Sequence, residues 1–372
     1  MTTDNALGTI SSRPGEAIDA DALLMFLRSA IPGIATEGEC TVDIRQFPSG
    51  FSNLTYLVRV RAQGDVERAL VLRRPPRGVK PGIAHDVCRE HDLLAVLHPR
   101  GVPVPKPVAK CEDVSVIGAP FYLMDFVDGV VLRGASMPVR AQVPDAGERD
   151  APVSLAALSQ LCVNALVQVH ATDVTRGPLS ALGRPMGYVE RQVQGWTKRW
   201  HAAATNDVSS LAPVARWLDA HRPPDRLVSL VHNDFKFDNL VLDHALARVL
   251  AILDWELATI GDPLMDLGTS LAYWVEAGDD PVFRSLGLGV TALPGSFSRA
   301  QVVHAYGVAS GRDVSDAVFY YVFGLFKVAV IAQQIYARHL QGNTRDPRFG
   351  GLGVVVNALG VSASRAIATQ AL

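Results

Sequence analysis

Two short apolar runs in the 372-residue chain each end in polar and acidic side chains. The first run, residues 227–231, leads into the segment HNDFKFDN, which begins at His232 and ends at Asn239. The second run, residues 249–253, leads into Asp254, which lies 15 residues after that Asn. Both runs have the length of β-strands, and side chains that follow a strand emerge from a rigid base. The pattern therefore predicts two acids and an amide at the ends of two strands.

Phosphoryl transfer requires a carboxylate base together with oxygen ligands for a metal ion. Asp234 is the candidate base, because a carboxylate can orient an acceptor hydroxyl and accept its proton. Asn239 and Asp254 are the candidate ligands of Mg²⁺, which prefers oxygen ligands. We expect His232 to brace the loop and Lys236 to neutralise charge on the transferred phosphoryl group. A polar turn whose Asp and Asn merely cap helices is the structural alternative.

Charge and composition exclude several other classes of protein. The chain has 35 Lys and Arg against 37 Asp and Glu, which argues against a general binder of nucleic acid or anionic membranes. A content of 48% apolar residues is typical of a packed globular chain. The four cysteines form no CxxC pair, so neither a disulfide framework nor a zinc site is predicted. We expect no secretory leader and no membrane span, and a cytoplasmic location.

The elements that must position these groups fall into an α+β arrangement. Residues 1–20 are polar and are expected to be poorly ordered, residues 21–128 to form a nucleotide-binding lobe, and residues 129–372 to form a larger helical lobe with the substrate site. Alternating apolar residues predict an antiparallel meander in the first lobe. The strands expected there are 40–44, 56–60, 70–73 and 121–124, with a helix over 86–97. Apolar stripes at helical spacing predict helices at 155–169, 189–200, 263–277, 300–309, 314–340 and 351–370.

Four segments together resemble the aminoglycoside phosphotransferase/choline kinase family. They are the turn 49–56, the strand 70–76, the loop 232–239 and the stretch 254–267, and the similarity spans roughly residues 40–340. The branch that the chain resembles most is the kinase-like domain of acyl-CoA dehydrogenase family proteins and its free-standing bacterial relatives. The resemblance implies a protein-kinase-like two-lobed fold, with a small antiparallel N-terminal lobe and a mainly helical C-terminal lobe. It also implies ATP, or alternatively GTP, bound with Mg²⁺ between the lobes.

The resemblance assigns nucleotide-binding roles to the first lobe. Gly50, Ser52 and Asn53 lie where the family's phosphate-covering loop belongs, and small residues let backbone N–H groups approach phosphate. A plain hairpin turn is the alternative interpretation of these three residues. The hinge residues expected to bind the base through their main chain are Met124, Asp125, Phe126 and Val127.

Kinases also need a cation on the third strand, and Arg73 stands where the family usually has Lys. Glu90 lies on the apolar stripe of the next predicted helix, and a buried carboxylate needs a partner. We therefore expect Glu90 to pair with Arg73, the alternative being a solvated Glu90 at the edge of the stripe. Lys80 is the next candidate cation.

Three further residues near the motifs are given structural interpretations. Asp262 and Asp266 follow the metal motif at the start of a helix, and we interpret them as capping that helix and tying down the catalytic loop. Direct catalysis by either acid is the alternative. Asn233 stands where many family members have Gly, and it is expected either to tighten the loop or to change substrate access.

The sequence thus predicts an ATP-dependent phosphotransferase acting on a small-molecule hydroxyl, with a hydroxyacyl-CoA-type metabolite favoured by the resemblance. Its partners would be the nucleotide and the acceptor. Arg191, Lys198 and Arg199 could receive an anionic acceptor, although a solvated basic face is at least as consistent with the pattern. An aminoglycoside kinase is one alternative function. A nucleotide-binding pseudokinase with a regulatory role is another, supported by the Arg that replaces the usual Lys.

Overall fold

A computed structural model of the chain describes residues 8–34, 40–48, 53–61, 67–76, 86–134, 154–224, 228–285, 289–342 and 347–372. Its contacts divide the chain into two units, residues 1–128 with 250–257 and residues 129–249 with 258–372. An eight-residue stretch from the second half of the chain therefore belongs to the first unit. The sequence pattern, which predicts one lobe from residue 129 onward, gives no sign of this assignment. Gly50, Ser52 and Lys80 lie outside the described residues.

A five-stranded antiparallel sheet forms the base of the first unit. Its strands are β1 (Thr41–Gln46), β2 (Leu54–Arg61), β3 (Glu67–Arg74), β4 (Pro107–Cys111) and β5 (Phe121–Asp125). The order across the sheet is β1-β2-β3-β5-β4, and each neighbouring pair is antiparallel. The meander predicted for the first three strands is confirmed. The sequence does not predict β4, an edge strand that begins with Pro107, because Pro weakens a strand pattern and is tolerated mainly at edges.

The core of the first unit lies between this sheet and helix α1 (Ala20–Ala30). Leu23 and Leu27 of α1 are fully buried and belong to one apolar cluster with Tyr56 of β2 and Phe121 of β5. Asp19 caps α1 by accepting the first main-chain N–H groups of the helix. Helix α2 (Val87–Leu97) packs on β4 and β5.

Part of the N-terminal segment has a defined place in the first unit. Ile10 forms an antiparallel bridge with Gln46, with main-chain N–O distances of 2.8 and 2.9 Å. Arg74, which is fully buried, donates to the main-chain oxygen of Glu16 at 2.7 Å. The polar composition of this segment predicts a poorly ordered terminus. Residues 8–20 differ from that prediction, because the edge of β1 and the buried guanidinium group of Arg74 bind their main chain.

The second unit is mainly helical. Its helices are α3 (Leu155–His170), α4 (Tyr188–Ala203), α5 (Leu211–Ala220), α6 (Pro263–Tyr273), α7 (Pro281–Arg284), α8 (Arg299–Ser310), α9 (Ala317–Leu340) and α10 (Leu352–Thr369). Its short strands are β6 (Ser229–Val231), β7 (Leu240–Leu242) and β9 (Thr259–Gly261), with β6 and β9 paired antiparallel. Strand β8 (Val249–Ile252) begins in this unit and continues into the first.

Helix α9 is the central helix of the second unit and contacts α4, α5, α6 and α10. It meets α6 at two glycines, Gly268 and Gly324. A Cβ atom on Gly324 would lie 2.0 Å from the main-chain oxygen of Gly268, and one on Gly268 would lie 2.0 Å from that of Tyr320. The two helices can approach this closely only because neither position has a side chain.

Two helical segments, α9 and residues 349–369, are long and apolar enough to cross a membrane when judged by length and composition alone. In the most apolar part of α9, however, 67% of the residues are buried inside the protein. The buried core helices of large proteins have the same composition. We therefore interpret α9 as a core helix.

Candidate functional site

Arg73 of β3 lies at the centre of a buried ion-pair cluster in the first unit. Its guanidinium donates to Glu90 Oε1 at 2.6 Å, to Asp254 Oδ1 at 2.7 Å and to Glu256 Oε2 at 3.5 Å. The expected pairing of Arg73 with Glu90 is therefore present. The alternative of a solvated Glu90 is wrong, since its side chain is only 1% exposed.

This cluster contains three carboxylates and one guanidinium. Burial raises the pKa of Glu90, although the charge of Arg73 opposes that rise. Burial lowers the pKa of Arg73, yet the charges of Glu90 and Asp254 outweigh it and hold that pKa well above its ordinary value. One positive and three negative charges leave a formal charge of −2, which a divalent cation would balance. Asp254 is 36% exposed and is the carboxylate that solvent reaches most easily.

Glu256 is a member of the cluster that the sequence analysis does not assign. Its carboxylate is 8% exposed and accepts a hydrogen bond from Asn53 Nδ2 at 2.7 Å. The side chain of Asn53 is therefore directed to this acid and is itself buried. The sequence does contain a signal for this role, because an acidic residue stands two positions after Asp254, where protein kinases have Gly.

The turn that presents Asp254 is fixed by main-chain contacts within the first unit. Asp254 has a φ of 70°, in the left-handed region that few residue types other than Gly, Asn and Asp tolerate. The N–H of Trp255 donates to Glu90 Oε1 at 3.0 Å, and its indole N–H donates to the main-chain oxygen of Ile252 at 2.8 Å. Trp255 is fully buried. These contacts hold the acid at the end of β8.

The predicted hinge begins with the last two residues of β5, and two of its main-chain N–H groups donate to other residues of the first unit. Asp125 N–H donates to the oxygen of Lys106 at 2.8 Å, and Phe126 N–H donates to that of Ala69 at 3.2 Å. Recognition of a base by this segment would therefore use its carbonyl groups or the N–H of Val127. Met124, the remaining residue of the predicted hinge, is buried near the end of β5.

In the second unit, side chains of the loop 232–239 and of α6 converge on Asp234. Lys236 Nζ lies 3.0 and 2.8 Å from the two carboxylate oxygens. Asn239 Nδ2 donates to Asp234 Oδ2 at 3.0 Å and to its main-chain oxygen at 2.8 Å. Two of the predicted site residues, Lys236 and Asn239, thus contact a third, Asp234.

Tyr273, at the end of α6, is a neighbour of Asp234 that the sequence analysis does not assign. Lys236 Nζ lies 4.6 Å from the centre of its ring. Burial, the Asp234 charge and a side-chain hydrogen bond to Asp234 raise the pKa of the phenol, so that it remains a protonated donor. Its position in an apolar helical stretch carries no signal of this contact.

The main chain of the loop 232–239 is anchored to Asp266 of α6. Asp266 accepts the N–H of His232 at 2.6 Å and the N–H of Asn233 at 2.8 Å. His232 Nδ1 in turn accepts the N–H of Asp234 at 3.2 Å, a contact consistent with the bracing role that the sequence predicts. Burial raises the pKa of Asp266, but the hydrogen bond and charge of His170 outweigh it and hold that pKa below its ordinary value.

Asp262 caps α6, as the sequence predicts. One carboxylate oxygen accepts the N–H of Leu264 at 2.8 Å, and the other accepts the hydroxyl of Tyr320 at 2.9 Å. Asp262 is 3% exposed and Asp266 is fully buried. Both acids are thus placed for the structural roles rather than for contact with a substrate.

Asn233 has a φ of 67°, which explains why Asn replaces Gly here, because both tolerate the left-handed region.

We expect Asn233→Gly to keep the free energy of unfolding within about 1 kcal/mol of wild type and Asn233→Val to lower it by about 1–3 kcal/mol. Urea unfolding would measure both. Tyr188→Phe is the matched control, because Tyr188 donates to Asn233 Oδ1 at 3.1 Å and its loss removes that bond alone. Equal stability of the Gly and Val variants would contradict the backbone explanation.

The three basic residues of α4 have different surroundings. Arg191 donates to two preceding main-chain carbonyl groups and is committed to the local fold. Arg199 lies 4.4 Å from the centre of the Trp196 ring and is exposed, as is Lys198. Of the three residues, Lys198 and Arg199 therefore remain candidates for binding an anionic acceptor.

The oxygen atoms of Asp254 and Asn239 fit Mg²⁺ by their chemistry. Within the described parts of the chain, no group of three or more His, Cys, Asp or Glu side chains is placed to hold a metal ion. In phosphoryl-transfer sites, Mg²⁺ typically takes one or two protein ligands and completes its shell with phosphate and water. Each of the two residues supplies an oxygen of the kind that such a ligand provides.

A profile of the phosphotransferase enzyme family, APH, matches residues 43–299. Among curated proteins, the chain is 35% identical over 342 residues to acyl-CoA dehydrogenase family member 10 of Mus musculus, covering 90% of this chain and 30% of that protein. It is 35% identical over 343 residues to family member 11 of Gallus gallus, covering 90% of this chain and 42% of that protein. The chain spans less than half the length of these relatives.

Solved structures show the same fold. A Ralstonia eutropha protein described as a candidate aminoglycoside phosphotransferase has a TM-score of 0.73 and 28% identity, covering 94% of this chain and 99% of that one. Choline kinase of Cryptosporidium parvum has a TM-score of 0.57 and 13% identity, with coverages of 95% and 97%. A mutant aminoglycoside phosphotransferase complexed with AMP-PNP and hygromycin B has a TM-score of 0.56 and 17% identity, with coverages of 93% and 98%.

Proposed function

Because the chain belongs to the phosphotransferase enzyme family, we propose that it transfers the γ-phosphoryl group of ATP to a hydroxyl group of a small molecule. The observation that carries this proposal is the arrangement around Asp234. Lys236 and Asn239 both contact its carboxylate, which is 19% exposed. A carboxylate that is fixed in orientation and still reachable suits a general base.

In the proposed reaction, Asp234 accepts the proton of the acceptor hydroxyl. The acceptor oxygen forms a bond to the γ-phosphorus while the bond from that phosphorus to the bridging oxygen breaks, and ADP leaves. Lys236 already lies against Asp234, so its ammonium also offers positive charge beside the attacking oxygen. Asn239 keeps the carboxylate in one orientation.

The nucleotide roles would belong mainly to the first unit. Asp254, together with Asn239, is assigned to Mg²⁺, which would neutralise phosphate charge when bound. Arg73 holds Asp254 in place and donates to its carboxylate at 2.7 Å. The phosphate-covering turn at residues 50–53 and the hinge are assigned to ATP by family membership, with GTP as the alternative.

Charge and the relatives support the proposed class of acceptor. Aminoglycosides are polycations and call for acidic surroundings, whereas the segment 186–204 has one acid, Glu190, against three Arg and Lys residues and His201. The curated relatives are acyl-CoA dehydrogenase family members. Both observations favour an anionic metabolite of hydroxyacyl-CoA type, and its free hydroxy acid is the natural comparison. A cytoplasmic location would suit such an acceptor.

A second candidate is a nucleotide-binding pseudokinase that acts as a regulatory module. The observation that favours it is the commitment of Arg73, the replacement for the usual Lys, to three carboxylates. The presence of Asp234, Asn239 and Asp254 together favours the enzyme, because a scaffold has no need of a base and two metal ligands.

A screen of acceptors tests the proposed function directly. The chain would be supplied with ATP and Mg²⁺ and with hydroxyacyl-CoA esters, free hydroxy acids and aminoglycosides in parallel. Stimulated ADP release, with a product heavier by one phosphate group, is the expected result for the first class. Wild-type protein that binds ATP and phosphorylates no acceptor would favour the pseudokinase.

We expect Asp254→Ala to abolish the Mg²⁺ dependence of nucleotide binding, because it removes the charged ligand assigned to the metal. Calorimetric titration with ATP, with and without Mg²⁺, measures this. Glu112→Ala is the matched control, since it removes a carboxylate of the same unit that is 72% exposed. Unchanged affinity and metal dependence in Asp254→Ala would overturn the assignment of this residue.

A further inference from the structure

Lys327 is a buried lysine that the proposed reaction does not use. It lies in the middle of α9, is 4% exposed, and is surrounded along the helix by apolar residues. An ammonium group in such a position loses its hydration, and a buried charge persists only where specific partners compensate for that loss. The partners of Lys327 therefore indicate its role.

The principal partner of Lys327 is the catalytic loop. Its Nζ donates to the main-chain oxygen of Asn233 at 2.7 Å, and Thr269 Oγ1 lies at 3.5 Å. The Trp196 ring centre lies 5.8 Å from the same nitrogen. The main chain of Asn233 is thus held at both its N–H, by Asp266, and its carbonyl group, by Lys327. Asn233 is the residue immediately before the candidate base.

The glycine contact between α6 and α9 explains how a lysine reaches this position. Gly324 lies one helical turn before Lys327, so the two residues share a face of α9. At Gly324 the helix comes close enough to α6 for any side chain to clash with the main chain at Gly268. Thr269 follows that glycine in α6 and lies beside Nζ. Because the two helices lie so close together, Lys327 reaches the main chain of the loop 232–239.

Charged groups of both signs act on Lys327 from the elements packed around it. Burial lowers its pKa to about 8, with the repulsion of Lys236 in the loop and Arg199 in α4 in the same direction. The carboxylates of Asp266 in α6 and Asp234 in the loop oppose that change. The ammonium form is therefore present below pH 8 and is lost as the pH rises above it.

We propose that Lys327 is a positioning residue for phosphoryl transfer, a role that rests on the proposed function. Its ammonium group fixes the carbonyl group of Asn233 and thereby the orientation of the Asp234 carboxylate that follows. If Lys327 had only a structural role in the core, an apolar side chain of the same length would change stability and leave kcat unchanged. A requirement for orientation at the base would not be met by such a side chain.

Lys327→Met keeps the length of the stem and removes the donor and the charge. We expect kcat for the acceptor to fall roughly 10²-fold, as misplacement of a catalytic group by about 1 Å does, with the Kd for ATP and Mg²⁺ unchanged. Wild-type kcat should decline as the pH rises through about 8, and this decline should be absent from the residual activity of Lys327→Met. Lys110→Met, which removes a lysine of the first unit paired with Asp92, is the matched control.

Unfolding measured against pH tests the charge of Lys327 without any activity assay. The folded pKa of about 8 lies below the ordinary value of 10.5, so between these values the unfolded chain binds a proton that the folded chain does not. Wild-type stability relative to Lys327→Met should therefore increase from pH 8 to pH 10. Lys327→Gln, which keeps a donor without the charge, serves if the Met variant does not fold.

The two assays separate the possible failures. Wild type that phosphorylates no acceptor would contradict the proposed function, while the stability difference would still report the charge of Lys327. Active wild type together with a Lys327→Met variant of unchanged kcat and pH profile would overturn the positioning role and leave the proposed function in place. A fall in kcat and a matching loss of the alkaline decline support the positioning role.

Discussion

Replacement of Asp234 by Asn should lower the turnover of a true acceptor by about 10²–10⁴-fold, which is the usual contribution of a general base. Asn keeps the size of the side chain and an oxygen that Asn239 Nδ2 can still reach. It removes the basic carboxylate and leaves Lys236 without its nearest counter-charge. The affinity for ATP and Mg²⁺ should change little, because Asp234 is assigned to neither.

Two measurements on the same preparation test this expectation. Nucleotide affinity is obtained by titration, and phosphoryl transfer is followed with whichever acceptor the screen identifies. Asp219→Asn is the matched control, because it makes the same chemical change at a side chain of the second unit that is 63% exposed. Transfer as fast as in wild type would show that Asp234 is not the base.

Replacement of Arg73 by Ala should strongly lower the free energy of unfolding of the first unit. It leaves Glu90 and Glu256, both nearly inaccessible to solvent, without their shared cation. Removal of one partner from a buried ion pair typically costs about 3–5 kcal/mol. Weaker ATP binding should accompany this loss, because Arg73 also holds Asp254. Arg73→Lys should retain part of both properties, since it keeps the charge but loses the planar fork that reaches several carboxylates.

Urea unfolding and ATP titration of the two variants measure these effects. Arg68→Ala is the control on the same strand, where the ion pair with Asp125 is more than one-third exposed on both sides. Exposed pairs contribute about 0–1 kcal/mol, so this control should unfold nearly as wild type does. Near-wild-type stability and kinetics in both Arg73 variants would mean that the cation comes from elsewhere in the chain, with Lys80 as the next candidate.

The parts of the fold and site that sequence predicts well depend on short-range patterns. Period-2 alternation predicts β1 and β2, and the apolar stripe of α2 places Glu90 inward, where it pairs with Arg73. The spacing from His232 to Asn239 likewise concerns residues of a single loop. Their mutual contacts within a few positions follow from the local turn.

The parts that sequence does not predict depend on contacts between distant residues. Asn53 bonds to Glu256, 203 positions away, and no local pattern distinguishes that contact from an approach to phosphate. Lys327 reaches Asn233 across 94 positions because two glycines let their helices meet. A single lysine in an apolar stretch predicts an interrupted membrane span as readily as it predicts a buried positioning group.

The assignment of residues 250–257 to the first unit has a consequence for exchanging parts between relatives. A hybrid that took only residues 1–128 from another family member would match a foreign strand cation and helix carboxylate to the resident Asp254 and Glu256. The two stretches of chain therefore have to be inherited together. Recombination at a single crossover separates them, whereas replacement of both stretches at once transfers the whole charge cluster intact.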